Sequence, residues 1–247
     1  MLPDLRVWLN HFEYHAQHPR CIPAGTPDML TGEERRRIAG SLAIFQLGEH
    51  SRGRRLAAAA RRCAHRRAYP ELERIMELFI REERRHAELL REFMTDHFMP
   101  VRDHAWTDAV FRGIRRLAGF ELYLHALIGA ELIGSAYYRA LERATGCKRL
   151  KVLCRTLVAD ELAHIGFESE LLRELQTQRQ AALRSFIRTL HRAVFTCASA
   201  FVWATHRGVL RKSGYGVIAF VQTCRAQYAF HLDSGVPAEH QIHPTPS

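Results

Sequence analysis

Acidic residues are the scarce class in this chain: 26 Asp and Glu stand against 36 Lys and Arg in 247 residues, a formal charge of +10. Long apolar runs are missing as well. The longest uncharged stretch near the C-terminus, Ala193 to Thr205, falls short of the about 20 residues that a membrane-spanning helix needs. Met1 to Arg20 mixes Asp, Arg, Glu and His with apolar residues, so no signal peptide is expected, and a cytoplasmic location is. Six cysteines (Cys21, Cys63, Cys147, Cys154, Cys197, Cys224) form no C-x-x-C pair. That excludes a rubredoxin-type iron centre or zinc knuckle built from local pairs. Reduced, mostly buried thiols are expected, with Cys63 made more reactive by its basic stretch. No run of alternating strand pattern occurs, which leaves an all-α fold.

Helical periodicity then organises the chain. Residues 1–32 form an arm, with a short helix around Leu5 to Gln17 and a Pro/Gly-containing loop from Pro19 to Gly32. Thr31 and Glu34 make a capping-box signature for a long helix over about 33–66. Tyr69-Pro70 and Met99-Pro100 bracket the second helix. The third spans roughly 106–144 and the fourth 147–178, so that 33–178 reads as a four-helix bundle. A C-terminal helical extension covers 179–234, with helices over about 180–211 and 216–231, and 235–247 is a tail. The extension is rich in large apolar residues, among them Phe195, Phe201, Trp203 and Ile218, expected to pack on the bundle or to form a homodimer face.

What is present is a doubled motif. An acidic residue followed by Glu-x-x-His occurs as Glu82-Glu83-x-x-His86 and as Asp160-Glu161-x-x-His164, 78 residues apart. Each copy follows a lone glutamate, Glu49 by 34 residues and Glu131 by 30. Residues three and four apart share one helix face. Followed that way, each polar position interrupts an apolar stripe near its middle: Leu42, Phe45, Glu49; Phe79, Glu83, His86, Leu90; Leu124, Ile128, Glu131, Ser135; Leu157, Glu161, His164, Leu171. Four buried carboxylates facing one another repel and lose hydration at a cost of several kcal/mol each. Two divalent cations bring +4 against −4, so the six side chains suit two iron or manganese ions that activate oxygen.

On these residues the chain resembles the ferritin-like di-iron carboxylate superfamily, over about 33–178. The doubled acidic-Glu-x-x-His is similar to soluble oxygenases, acyl-carrier-protein desaturases and rubrerythrins more than to storage ferritins. The resemblance implies that Glu49, Glu83 and His86 hold one metal and Glu131, Glu161 and His164 the other, with Glu83 and Glu161 as bridging, catalytic carboxylates. It also implies that Glu82 and Asp160 accept the far N–H of a ligating histidine, fixing its tautomer. Glu168, four residues after His164, is either a seventh ligand or part of an ion pair. Tyr138 is either a neighbour of the metals or a packed bundle tyrosine. Gly129, Ala130, Gly134 and Ser135 either let helices approach or leave a cavity beside the metals. His11, His15 and His18 receive no role.

The expected activity is that of a non-haem di-iron oxidoreductase, Fe/Fe or Mn/Fe. It uses O₂ to hydroxylate, desaturate or N-oxygenate an organic substrate, with electrons from an external donor. Alternatives are an iron-handling ferroxidase, a rubrerythrin-like peroxidase and a non-catalytic helical interaction protein. The arginine run from Arg52 to Arg67 is either a solvated helix exterior or a docking surface for an acidic carrier protein or a ferredoxin. Aromatics are not interleaved with it, so nucleic acid ranks last.

Overall fold

The computed structural model describes residues 5–20, 22, 28–50, 53–101, 119–177 and 179–233. Among them no strand occurs. The helices are α1 (Leu5–Gln17), α2 (Gly32–His50), α3 (Arg54–Arg67), α4 (Pro70–Asp96), α5 (Phe120–Ala144), α6 (Lys148–Gln176), α7 (Ala181–Thr205), α8 (Arg207–Lys212) and α9 (Val217–Tyr228), with a π-turn at Ala229–Asp233. None is long and apolar enough to cross a membrane. Leu117, Arg52, Arg112, Arg115, Arg116 and the tail lie outside the described residues, as do the N-terminal part of the third expected helix and much of the loop over 19–32.

The long helix expected over 33–66 is instead two helices. α2 stops at His50 and α3 starts after Gly53, whose backbone is extended (φ 169°). Glycine in a helix interior costs about 1 kcal/mol relative to alanine, and here it stands at the N-cap instead. Glu49 is therefore in the last turn of its helix. α3 buries Leu56, Ala59, Ala60, Cys63 and Ala64. Its other face exposes Arg54, Arg55, Arg61, Arg62 and Arg66 to solvent. Ala68, left-handed at φ 54°, closes α3, and Pro70 opens α4 at its first turn, where its missing N–H costs nothing.

Two compact units are present. One holds Asp4–Tyr123 and Thr145–Thr156; in it α1, α2 and α3 each pack on α4. Its core includes Trp8, Phe12, Ile38, Leu42, Leu72, Ile75, Phe79 and Leu90. Trp8 and Phe12 of α1, the short helix expected in the arm, are buried in this core. The expected capping box forms: the Thr31 N–H donates to Glu34 Oε2 (3.0 Å) and the Glu34 N–H to Thr31 Oγ1 (3.2 Å). Glu34 Oε1 also accepts from the Gly146 N–H (2.7 Å) and the Thr145 hydroxyl (3.2 Å), which clamps the start of α2 to the turn before α6. Burial works to raise the Glu34 pKa, but those hydrogen bonds together hold it below the usual value.

The other unit holds Leu124–Ala144 and the chain from Leu157 onward. α7 packs on α9, burying Phe195, Ser199, Phe220, Cys224 and Tyr228. The turn from α8 to α9 uses Gly214 at φ 89°, a conformation a side chain would strain.

Candidate metal centre

Each predicted ligand is a helical residue that replaces one member of an apolar stripe, and each is buried: Glu49 is 5% exposed, Glu83 0%, His86 0%, Glu131 1%, Glu161 1% and His164 0%. Carboxylates are almost never buried this deeply unless paired or bound to a cation. Within each motif the i, i+3 spacing has the same local outcome. His86 Nδ1 lies 3.7 Å from Glu83 Oε1, and His164 Nδ1 lies 3.6 Å from Glu161 Oε2. Both separations exceed a hydrogen bond and suit two donor atoms that share one ion at about 2.1 Å each.

The six residues form two overlapping groups. Glu49, Glu83, His86 and Glu161 offer one ligand atom each, all within 4.8 Å of one another. Glu83, Glu131, Glu161 and His164 do the same. Glu83 and Glu161 are the two residues common to both groups. The donor set is hard oxygen with two imidazoles, which fits iron or manganese and offers no thiolate for a softer metal. A buried Glu/His cluster able to hold metal is thus a property of the fold.

The remaining site predictions divide. Glu168 is fully buried one turn after His164, but it is not in either group. Tyr138 is fully buried and packs edge-to-face on Tyr137 at 5.6 Å; Tyr137 in turn meets the His206 ring at 5.3 Å. Gly129 lies close to α7: a Cβ there would stand 3.6 Å from Phe195 Cδ2 and 3.7 Å from His191 Nε2. These are ordinary van der Waals distances, so the spacing there does not by itself require a glycine. The Ser135 hydroxyl donates back to the Leu132 carbonyl at 3.1 Å.

Glu82 and Asp160 come together with His15, again with donor atoms within 4.8 Å, and His15 Nδ1 is 3.7 Å from Glu82 Oε1. Sequence reasoning gave His15 no role. The available signal was its place on the face of α1 that also carries buried Trp8 and Phe12, about two turns after the first and one after the second. A second polar cluster joins His125, which lies off the ligand face of its helix, to residues far along the chain. His125 Nδ1 and His191 Nδ1 are hydrogen-bonded at 3.0 Å, His191 Nδ1 is 2.9 Å from the Tyr228 hydroxyl, and Gln176 Nε2 is 3.1 Å from His125 Nε2. Burial holds both histidines down at about 4 and pushes the Tyr228 phenol up to about 12. Cys63 corrects an expectation: it is buried, and burial raises its pKa against the opposing pull of Arg66 and Arg67, so the thiolate is disfavoured.

No family model matches this chain, and neither curated proteins nor solved structures offer a match.

Proposed function

We propose that Glu49, Glu83, His86, Glu131, Glu161 and His164 hold two metal ions, Fe/Fe or Mn/Fe, in a ferritin-like four-helix bundle of α2, α4, α5 and α6. The protein is then an oxidoreductase that uses O₂ to hydroxylate, desaturate or N-oxygenate a small organic substrate. The observation that carries this reading is the sharing of Glu83 and Glu161 by two buried donor groups. When bound, a pair of redox-active ions supplies the electron chemistry with O₂ that protein side chains lack.

The chain's own residues supply charge, position and dryness. Glu83 and Glu161, which belong to both donor groups, would be shared between the ions, with Glu49 and His86 completing one set and Glu131 and His164 the other. Four ionised carboxylates balance two divalent ions, which removes the self-repulsion that the empty set of charges carries. Fully buried Ile128, Leu132, Leu157 and Ile165 stand beside the ligands along their helices and exclude water. With no local cysteine pair for a built-in relay, electrons come from an external donor. The exposed Arg54, Arg55, Arg61 and Arg62 suit an acidic donor or an acidic carrier protein bearing the substrate.

Oxygen uptake tests the reading. Iron-loaded protein, reduced anaerobically and mixed with O₂, is expected to consume it faster than the same ferrous iron in buffer, and Glu161→Ala to lose the difference. Uptake equal to that of free iron in the parent protein would sink it.

A further inference from the structure

His125 of α5, Gln176 at the end of α6, His191 of α7 and Tyr228 at the end of α9 meet inside one compact unit. His125 is 6% exposed and Tyr228 3%, while His191 is half-buried. Three polar atoms converge there: His191 Nδ1 lies 3.0 Å from His125 Nδ1 and 2.9 Å from the Tyr228 hydroxyl. The cluster shares no residue with the carboxylate centre. His125 stands six residues before Glu131 on α5, about 120° away around the helix.

Proton counting leaves this set unbalanced. A neutral imidazole nitrogen has either one N–H or one lone pair to offer. If His125 Nδ1–H donates to His191 Nδ1, the Tyr228 hydroxyl competes for a lone pair already taken. If His191 carries its proton on Nδ1, that single N–H has to serve both neighbours. A cation that accepts a lone pair from each of the three atoms removes the conflict. Burial favours this, because it keeps both imidazoles neutral at neutral pH. Two ring nitrogens and a phenol oxygen are a donor set that suits Zn²⁺. Tetrahedral ligands at about 2.0–2.1 Å from the ion stand about 3.3 Å from one another, so the observed separations open by a few tenths of an ångström. Of the charged groups near the set, Arg179 and Arg188 are exposed, where solvent screens them, and Arg192 is paired with Asp233.

We infer that His125 Nδ1, His191 Nδ1 and the Tyr228 oxygen hold a zinc ion, with water as the fourth ligand, which ties α5, α7 and α9 together. Binding releases one proton: the Tyr228 O–H bond breaks, the phenolate oxygen bonds to Zn²⁺ and the proton leaves to solvent. Burial otherwise pushes the Tyr228 phenol up to about 12, and the charge of the ion reverses that preference. Gln176 Nε2 is 3.1 Å from His125 Nε2 and fixes the ring from behind. With zinc bound the amide turns, so that His125 Nε2–H donates to Gln176 Oε1. None of the three ligands belongs to the carboxylate centre, so the inference does not rest on the proposed function.

Titrating the full chain with zinc at neutral pH, while following the ultraviolet difference band of ionised phenol, tests it. The band is expected to grow to one phenolate per chain with one proton released, and to be absent from Tyr228→Phe. That variant removes a single hydroxyl and keeps the ring against Phe195; its melting temperature without zinc verifies the fold. Gln176→Ala is expected to weaken the zinc dependence of the band about tenfold, and His191→Gln by more than that. Zinc bound at the carboxylate centre is silent in this band, because its six side chains include no tyrosine, so Glu83→Ala is expected to keep the signal. Zinc uptake without a phenolate band overturns the inference, as does a band that persists in Tyr228→Phe or is lost from a folded Glu83→Ala.

Discussion

Glu161 illustrates what a single side chain contributes at the centre. It is 1% exposed and stands within 4.8 Å of donor atoms from Glu49, Glu83, His86, Glu131 and His164. On the proposed reading it is a ligand when metal is bound; without metal it is one of four carboxylates buried close together. Metal binding and apoprotein stability should therefore respond in opposite directions to one change. Glu161→Gln keeps the shape and removes the charge. Its apoprotein is expected to be more stable than the parent apoprotein by roughly 1–3 kcal/mol, while metal stabilises the parent and not the variant. Denaturant titrations with and without metal measure both, and a variant apoprotein less stable than the parent would contradict the charge argument. The apolar stripes made the six buried candidate ligands legible, because each interrupts a stripe that the helix period allowed to be followed. Cys63 was misread because its neighbours Arg66 and Arg67 are visible in sequence, whereas its burial is not.

At the scale of elements, the start of α2 was readable to the residue. Thr31 and Glu34 state their cap locally, and both reciprocal hydrogen bonds form. What the local signature could not hold is the second use of Glu34, as acceptor for Gly146 and Thr145 more than a hundred residues away. Loss of that carboxylate removes a cap and a tertiary clamp together. Glu34→Ala is expected to cost about 1–3 kcal/mol in equilibrium unfolding, and Thr31→Ala, which leaves the contacts of Glu34 with the later turn in place, less. Equal costs would show that the clamp adds nothing. The break between α2 and α3 was missed because one glycine does not by itself end a helix. The decision falls to packing, in which Leu56, Ala59 and Cys63 turn inward on α3 while its arginines stay in solvent. The segment that resolved least from sequence was α7, since exposure is a property of packing and an apolar stripe reads the same whether buried or bare.

Across the molecule, buried histidines tie stability to pH. His125, His191 and His206 are each held at about 4 by burial, against an ordinary value near 6.5. Their folded pKa values are depressed, so the unfolded chain takes up protons first. Their contribution is complete above about pH 6.5 and is lost as pH falls towards 4. His206→Phe, which keeps a ring against Tyr137, is expected to make the fall in stability between pH 6.5 and 4 shallower. An unchanged slope would mean that His206 is not held neutral. The joint burial of His125 and His191 was not legible in sequence, because the two come together from helices far apart in the chain.

The central claim concerns the buried cluster that α2, α4, α5 and α6 assemble, and metal content tests it most directly. The protein, expressed with iron and manganese supplied, is analysed for bound elements beside Glu83→Ala. Glu83 is common to both donor groups, so the account predicts about two ions of iron, or of iron and manganese, per chain in the parent and their loss from the variant. A parent protein without stoichiometric metal would contradict it.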